Sequence, residues 1–328
     1  MRQFIRTISH DANAENQSTG GNGENGEATV FDRYTTERKH PVSGLSSPSV
    51  SVASVIPCSS VSEIRFKLLL ASAASISFTF LFAGCSTVPV TGRSQLNLMS
   101  PGQEMQLGLT SFEETKKQVP ISKDAAVNAM VQRVGQRIAA VAGKDMPDAK
   151  WEFVVFESKD ANAFCLPGGK VGVYTGILPI TKDEAGLATV IGHEIAHAVA
   201  RHGGERMSQA MVIQTGGSLL GMGLANTDPR WQAVAQLAYG VGTKVGAELP
   251  HSRAQESEAD HIGLIYMTRA GYAPEAAVEF WKRFGEFNKQ RGSDTPGFLR
   301  THPLDEVRVK QLEGWIPEAK AKANDPAR

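Results

Sequence analysis

Residues 183–201 read DEAGLATVIGHEIAHAVAR, and this stretch decides how the rest of the chain is interpreted. It contains no proline, and its apolar residues recur at the spacing of a helix. Within it, His193, Glu194 and His197 form the pattern HExxH. Residues four apart lie on the same face of a helix, so both imidazole rings are expected to point in one direction.

Two histidines at this spacing can bind one metal ion together, and zinc is the ion that HExxH helices typically hold. Glu194 lies beside them, where it can take a proton from water and pass it to a leaving amine. The motif alone occurs by chance in about one chain in a hundred of this composition, and it could be a surface helix with two solvated histidines. The neighbouring residues argue against a surface helix, because they are apolar: Leu187, Val190, Ile191, Ile195, Ala196 and Val199. We therefore expect one zinc ion per chain, bound by His193 and His197, with Glu194 as the catalytic residue.

A catalytic zinc site usually has three protein ligands and an open fourth position. Glu256-Ser257-Glu258-Ala259-Asp260 supplies candidate acids on a second helical stretch, from about residue 252 to 270. Such an acidic cluster could instead be a solvated helix face, but the presence of HExxH favours a ligand. Glu258 is turned by about 200° from Glu256 on an ideal helix and is expected to point away from the metal.

HExxH, followed by ExEAD about sixty residues later, resembles the HtpX, BepA and CAAX-prenyl-protease group of gluzincin metallopeptidases. The resemblance covers most of residues 85–317. It implies that Glu256 is the third zinc ligand and that Asp260 orients a ligating histidine. It also implies an α+β fold, an α-rich zincin-like metallopeptidase domain with a short β-sheet beside the HExxH helix.

Two further segments resemble this family. Residues 162–176, NAFCLPGGKVGVYTG, are similar to its strand beside the catalytic helix, which implies an edge strand that receives substrate backbone. We interpret Cys165 in this segment as a packed thiol. Thr301-His302-Pro303 with Arg308 resembles the family's HP…R element, so His302 is either a regulatory fourth metal ligand or a capping or hydrogen-bonding residue.

The other histidines show no comparable grouping, and we interpret His202 and His251 as helix-end or loop residues. Between the two metal-binding motifs, residues 207–245 are rich in glycine and apolar residues and could form a helical hairpin. Upstream of them the spacing predicts two helices and two strands, at residues 101–115, 123–141, 150–157 and 170–175.

Composition narrows the function classes further. The 328 residues carry 34 basic and 34 acidic side chains, so the formal net charge is zero. The overall charge therefore does not favour nucleic acid as a partner. The three cysteines include no CxxC spacing, which excludes a disulfide scaffold and a thiolate zinc site. The expected partners are protein or peptide substrates.

The first 84 residues predict two segments ahead of the peptidase domain at residues 85–328. Residues 1–60 contain few large apolar groups and are expected to be a disordered extension. Residues 61–84 have a basic flank and a short apolar run, which are typical of a secretory signal, although a buried apolar helix is an alternative. Because export signals normally open a chain, we expect translation to begin nearer Val61.

The end of this signal, Phe82-Ala83-Gly84-Cys85, resembles a bacterial lipobox, although Phe82 stands where leucine is usual. The resemblance implies cleavage before Cys85 and a lipid on that cysteine. Ser86 after it favours the outer membrane. We therefore expect a lipid-anchored protein of the bacterial cell envelope, on the periplasmic face of the outer membrane.

The family resemblance implies a zinc-dependent endopeptidase that hydrolyses misfolded or misassembled envelope proteins. One alternative is a lipid-anchored assembly factor or chaperone with little proteolysis, against which the intact HExxH and ExEAD motifs argue. The other is a structural zinc site, whose closed fourth position His302 could supply.

Overall fold

The structure is a computed structural model that describes residues 85–291, 295–304 and 306–323. The extension and signal peptide expected at residues 1–84 lie outside the described residues. The described strands are β1 Cys85–Thr87, β2 Ser94–Leu96, β3 Glu152–Phe156, β4 Ala163–Leu166 and β5 Lys170–Tyr174. The described helices are α1 Pro101–Gln118, α2 Ala125–Ala142, α3 Leu178–Thr181, α4 Glu184–Val199, α5 His202–Gly223, α6 Pro229–Thr243, α7 Leu249–Arg269, α8 Glu275–Arg291, α9 Gly297–Thr301 and α10 Glu306–Ala323. A π-helical segment, Lys244–Glu248, joins α6 to α7.

Side-chain caps set where the long helices begin. Ser100 and Gln103 form a capping box at the start of α1, and Asp124 accepts hydrogen bonds from the first turn of α2. Asp183 caps α4 by accepting from the backbone N–H of Gly186 at 2.9 Å. The helices predicted around residues 101–115 and 123–141 are confirmed, with slightly different ends.

Three strands form a mixed sheet in the order β3-β5-β4. β3 runs parallel to β5, and β4 pairs antiparallel to β5 with Cys165 opposite Val171. Gly168 and Gly169 connect β4 to β5 and have φ values of 88° and 79°, which favour glycine. The strands predicted at residues 150–157 and 170–175 correspond to β3 and β5. Residues 162–176, where the family resemblance implied an edge strand, contain both β4, at one edge of the sheet, and β5, at its centre.

Helix α4 lies at the centre of the domain, and every residue from Gly186 to Val199 is buried. It packs against α2, α7, α8 and β4. It lies close to α7, where a methyl group at Gly263 would be 2.8 Å from the backbone nitrogen of His193. The fold is therefore the expected helix-rich α+β zincin-like domain, with the short sheet beside the HExxH helix.

Residues 85–96 form a short antiparallel hairpin of β1 and β2. Buried polar side chains hold this N-terminal hairpin to the helices. Gln95 donates to the carbonyl of Ala200 at 2.8 Å, and Asn97 donates to the buried carboxylate of Glu104 at 2.9 Å. The hairpin is therefore part of the domain.

Helices α5 and α6 form the hairpin expected within residues 207–245. The hydroxyl of Tyr239 donates to the carbonyl of Ile213 at 2.9 Å, which joins the two helices. Many apolar side chains of this pair are exposed: Met211, Val212, Leu219, Met222, Trp231, Val234, Leu237 and Val241. Among the described helices, none combines the length and apolar character needed to span a membrane.

Candidate metal centre

Four buried side chains from three parts of the chain converge at one point. They are His193 and His197 on α4, Glu256 on α7, and His302 just after α9. Nε2 of His193 lies 3.1 Å from Nε2 of His197 and 3.3 Å from Oε2 of Glu256. Oε1 of Glu256 lies 3.4 Å from Nε2 of His197. The structure thus brings together the four residues that the sequence predicted as metal ligands.

These spacings test whether the residues suit a metal ion. With zinc–ligand bonds of about 2.0–2.2 Å, the donor atoms of a tetrahedral site lie roughly 3.3–3.6 Å apart. Nδ1 of His302 lies 3.3 Å from Nε2 of His193 and 3.0 Å from Oε2 of Glu256. Two neutral imidazoles and a carboxylate are also the usual donor set of a catalytic zinc site. The residues therefore fit a tetrahedral cation site.

The charges around the site also suit a cation. Burial opposes ionisation of Glu256, but His302, His197 and His193 outweigh it and hold its pKa well below the usual value. Burial lowers the pKa of His197, which keeps the ring in the neutral form that binds metals. Burial also opposes protonation of His193, yet Asp260 and Glu256 raise its pKa to about 9. A cation between these groups would neutralise the negative field they create.

Asp260 lies behind His193, as the family resemblance implied. Its Oδ1 is 2.9 Å from Nδ1 of His193, although the contact is bent from ideal hydrogen-bond geometry. Arg308 donates to both Asp260 oxygens, at 2.7 and 2.8 Å, and to the carbonyl of Pro303 at 2.8 Å. The HP…R element therefore ties the segment that carries His302 to the aspartate behind His193.

Glu194 faces the same site from α4. Its side chain is buried, and burial raises its pKa above the ordinary value. Oε1 makes no hydrogen bond of good geometry within the described part of the chain, but Nε2 of His302 lies 3.3 Å from it. His302 thus contacts the ligand cluster through one ring nitrogen and Glu194 through the other.

Cys165 lies on the edge strand β4 and is a free, half-buried thiol. Burial raises its pKa, and the nearby negative charge of Glu194 raises it further. A thiol held protonated in this way is a poor nucleophile. The interpretation of Cys165 as a packed thiol is consistent with this environment.

His202 is the residue that the sequence interpretation missed. It was expected to be a helix-end or loop residue; it does begin α5, but its side chain is completely buried against the site. Nδ1 of His202 lies 2.8 Å from Nδ1 of His197, and its Nε2 lies 2.9 Å from Oε2 of Glu258. Glu258 points away from Glu256, as expected, and reaches His202 instead of solvent. The signal in the sequence was the position of His202, five residues after His197.

A buried HExxH helix beside an edge strand, with a carboxylate from a second helix, defines a metallopeptidase domain of the zincin-like α+β class. Residues 125–316 match the model of peptidase family M48. Because this match covers more than half of the 328 residues, the chain belongs to peptidase family M48.

Curated relatives support the same assignment. The mitochondrial metalloendopeptidase OMA1 of Schizosaccharomyces pombe is 34% identical over 261 residues, 79% of this chain and 74% of that protein. The protein of the same name from Saccharomyces cerevisiae is 32% identical over 278 residues, 77% of this chain and 78% of that protein. The beta-barrel assembly-enhancing protease of Escherichia coli K12 is 28% identical over 226 residues, 68% of this chain but 46% of that protein.

These findings confirm the family expected from the HExxH and ExEAD motifs. They also confirm the enzyme class, a zinc metalloprotease of the HExxH type. The relatives are named as mitochondrial proteins and as a protein of Escherichia coli, so the bacterial, lipid-anchored location stays a prediction.

Proposed function

We propose that this protein is an endopeptidase that binds one zinc ion through His193, His197 and Glu256. The observation that carries this proposal is the convergence of their buried donor atoms at 3.1–3.4 Å, close to the spacing of a tetrahedral zinc site. A bound zinc ion supplies a Lewis acid that polarises a peptide carbonyl and makes water more acidic. Protein or peptide substrates follow from the protease family.

Glu194 moves the proton in the proposed reaction. Its buried carboxylate takes a proton from the attacking water and delivers it to the amine that leaves the cleaved peptide bond. The raised pKa suits both steps, because the group must accept a proton and release it near neutral pH. Asp260 holds His193 in place for this chemistry through the contact at Nδ1.

Strand β4 positions the substrate in this proposal. It lies at the edge of the three-stranded sheet and packs against α4. An extended peptide can add to such an edge through backbone hydrogen bonds, which bind many sequences with little selectivity. This suits a protease that acts on unfolded segments of many proteins.

His302 closes the site at rest. Its Nδ1 occupies the fourth position of the donor cluster, 3.0 Å from Glu256, while its Nε2 lies 3.3 Å from Glu194. With Nδ1 facing the metal position, Nε2 carries the proton and can donate to the Glu194 carboxylate. A single ring therefore blocks both the open position and the general base, and it must withdraw before a substrate can react.

The test compares wild type with Glu194→Gln for zinc content and for cleavage of an unfolded protein. Glutamine has nearly the same shape but cannot transfer the proton, so cleavage falls about 100-fold or more while zinc content is unchanged. Glu184→Gln is the matched control, because Glu184 lies at the other end of α4 and pairs with Arg133 at the surface. The control retains wild-type cleavage.

Two results would contradict the proposal. Cleavage that persists in Glu194→Gln excludes the general-base mechanism. Full zinc content without cleavage in any variant, including one that lacks the His302 ring, favours an assembly factor or a structural zinc site.

We also propose that the substrates are misfolded or misassembled cell-envelope proteins and that a lipid on Cys85 anchors the enzyme to the outer membrane. The lipobox-like sequence before Cys85 and the name of the Escherichia coli relative support this location. Expression of Cys85→Ser in a bacterial host should release the protein from the membrane fraction and remove the lipid mass from the mature chain. Cys165→Ser is the control and stays membrane-bound; a wild-type chain without lipid refutes the anchor.

A further inference from the structure

Three buried side chains, those of His197, His202 and Glu258, contact one another in a series that leads away from the metal position. Nδ1 of His197 lies 2.8 Å from Nδ1 of His202, and Nε2 of His202 lies 2.9 Å from Oε2 of Glu258. His202 is fully buried and Glu258 is 9% exposed. Since buried polar groups need hydrogen-bonding partners, these contacts decide where the protons lie.

One arrangement of protons satisfies every atom in this series. Nε2 of His197 faces the metal position and must be free of a proton to bind a cation, so Nδ1 of His197 carries the N–H. That N–H donates to Nδ1 of His202, which must then be the unprotonated nitrogen of its ring. Nε2 of His202 therefore carries a proton and donates it to the carboxylate of Glu258.

The N-terminal hairpin fixes the far end of the series. Nε of Arg93 donates to Oε2 of Glu258 at 2.8 Å, and the hydroxyl of Thr91 donates to Oε1 of the same carboxylate. Arg93 also donates to both oxygens of Glu205 on α5, at 2.8 and 2.9 Å. Glu258 is therefore held from two sides, and its orientation does not depend on the metal.

We propose that Glu258 and His202 are positioning residues that set the tautomer and orientation of His197. We call the hydrogen-bonded series His197–His202–Glu258 the histidine relay, and Arg93 of the N-terminal hairpin holds its last member, Glu258, in place. The inference rests on the proposed role of His197 as a zinc ligand. Each α4 histidine then has its own acceptor behind it, because Asp260 faces Nδ1 of His193 at 2.9 Å. Groups of this kind typically change metal affinity 10- to 100-fold when they are removed.

The first test measures the zinc affinity of the full chain by competition with a chelator. In His202→Leu the N–H of His197 loses its acceptor, so zinc binds about 10- to 100-fold more weakly. In His202→Asn the amide oxygen can lie near the position of Nδ1 and accept the N–H of His197, so part of the zinc affinity is recovered. Glu258→Gln keeps an acceptor but loses the charge, and its loss of affinity is smaller than that of His202→Leu.

The matched control is another histidine–glutamate pair, formed by His261 on α7 and Glu318 on α10. Nε2 of His261 lies 3.0 Å from Oε2 of Glu318, both side chains are partly exposed, and neither belongs to the donor cluster. His261→Leu therefore leaves zinc affinity unchanged. The melting temperature of each metal-free variant separates a loss of folding from a loss of positioning, because positioning alone weakens zinc binding without unfolding the metal-free protein.

A second measurement needs no variant. In the zinc-loaded chain labelled with ¹⁵N-histidine, the ring nitrogens report which atoms carry protons. We expect a proton on Nδ1 of His197, none on Nδ1 of His202, and one on Nε2 of His202. A proton on Nδ1 of His202 overturns the relay, as does wild-type zinc affinity in His202→Leu.

These results separate failure of the relay from failure of the proposed function. If the wild-type chain binds no zinc at all, the metal site itself is refuted. If the wild type binds zinc and the His202 variants match it, the metal site stands and the relay is wrong.

Discussion

At the scale of single residues, the three acids of the ExEAD motif have different partners although they lie within five residues of one helix. Glu256 joins the donor cluster, and Asp260, one turn later, lies behind His193 and pairs with Arg308. Glu258 points to the other side and meets His202 and Arg93. The rotation of about 100° per residue on a helix explains this division. Replacing Glu256 should therefore affect the donor cluster itself, replacing Asp260 the contact with His193, and replacing Glu258 the contacts with His202 and Arg93.

His302 gives a prediction at the same scale. Because its ring occupies the fourth position and contacts Glu194, His302→Ala removes the resting closure. Cleavage of an unfolded protein should rise by at least about threefold. The reason is that the rate of an enzyme that rests closed is proportional to the fraction of molecules that are open. The rate is measured at saturating zinc, because the variant also loses one metal donor. Lower cleavage at full zinc occupancy would show that His302 assists the reaction and does not restrain it.

At the scale of elements, the site depends on how closely α4 approaches α7. The carbonyl oxygen of Gly263 would lie 3.0 Å from a methyl group at Gly192, and a methyl group at Gly263 would lie 2.8–3.0 Å from backbone atoms of α4. The absence of side chains at these two positions lets the helices touch through their backbones. This contact brings Glu256 on α7 within reach of the two histidines on α4.

Gly263→Ala tests this contact. The added methyl group meets backbone atoms that cannot rotate away, so the free energy of unfolding should fall by about 1–3 kcal/mol. Zinc affinity should fall as well, because separating the helices moves Glu256 away from His193. Chemical denaturation and chelator competition measure the two effects.

The control for this prediction is Gly203→Ala on α5. Nothing lies within 4 Å of a methyl group at Gly203, and alanine in a helix is favoured over glycine by about 0.5–1 kcal/mol. This variant should be as stable as wild type or slightly more stable. Equal stability of Gly263→Ala and wild type would show that α4 and α7 can separate without cost.

At the scale of the whole molecule, the N-terminal hairpin joins helices that are distant in sequence. Arg93 contacts Glu205 on α5 and Glu258 on α7, while Arg201 contacts the buried carboxylate of Glu104 on α1. These ion pairs connect the beginning of the described chain to the two helices that flank the site. Residues 85–96 are therefore expected to be required for a stable domain.

This arrangement predicts how stability depends on pH. Burial works against ionisation of Glu258, but His202, Thr91 and Arg93 outweigh it and lower its pKa to about 2. A lowered pKa in the folded state means that Glu258 stabilises the fold above its ordinary pKa of 4.5, and that this contribution is lost as the pH falls from 4.5 towards 2.

Urea denaturation of wild type and Glu258→Gln at pH 7 and pH 3 measures this contribution. The difference in stability between the two proteins should be large at pH 7 and smaller at pH 3. Glu313→Gln serves as control, because the Glu313–Lys282 pair is about half exposed and contributes little. A difference that does not change with pH would show that the charge of Glu258 does not stabilise the fold.

Much of this protein could be predicted from short-range patterns. The HExxH spacing on an apolar helix identified His193, Glu194 and His197 because a helix places residues four apart on one face. The same reasoning located helices α1, α2, α4 and α7 and strands β3 and β5, but not helices α8 and α10. Resemblance to a known family added Glu256 and Asp260, which no spacing rule connects to a motif about sixty residues earlier.

The remaining features depend on contacts between distant segments, which a local pattern does not encode. Residue spacing alone did not predict strand β4, because four residues beside a Pro-Gly-Gly turn carry too little pattern to distinguish a strand from a loop. The family resemblance implied an edge strand in this segment, and the pairing with β5 gives its bounds and register. His302 and His202 reach the site through tertiary packing, one from the segment after α9 and the other from the start of α5. The HExxH helix was thus evident from its own residues, whereas the groups that close it and hold it in place were determined by the folding of the chain around it.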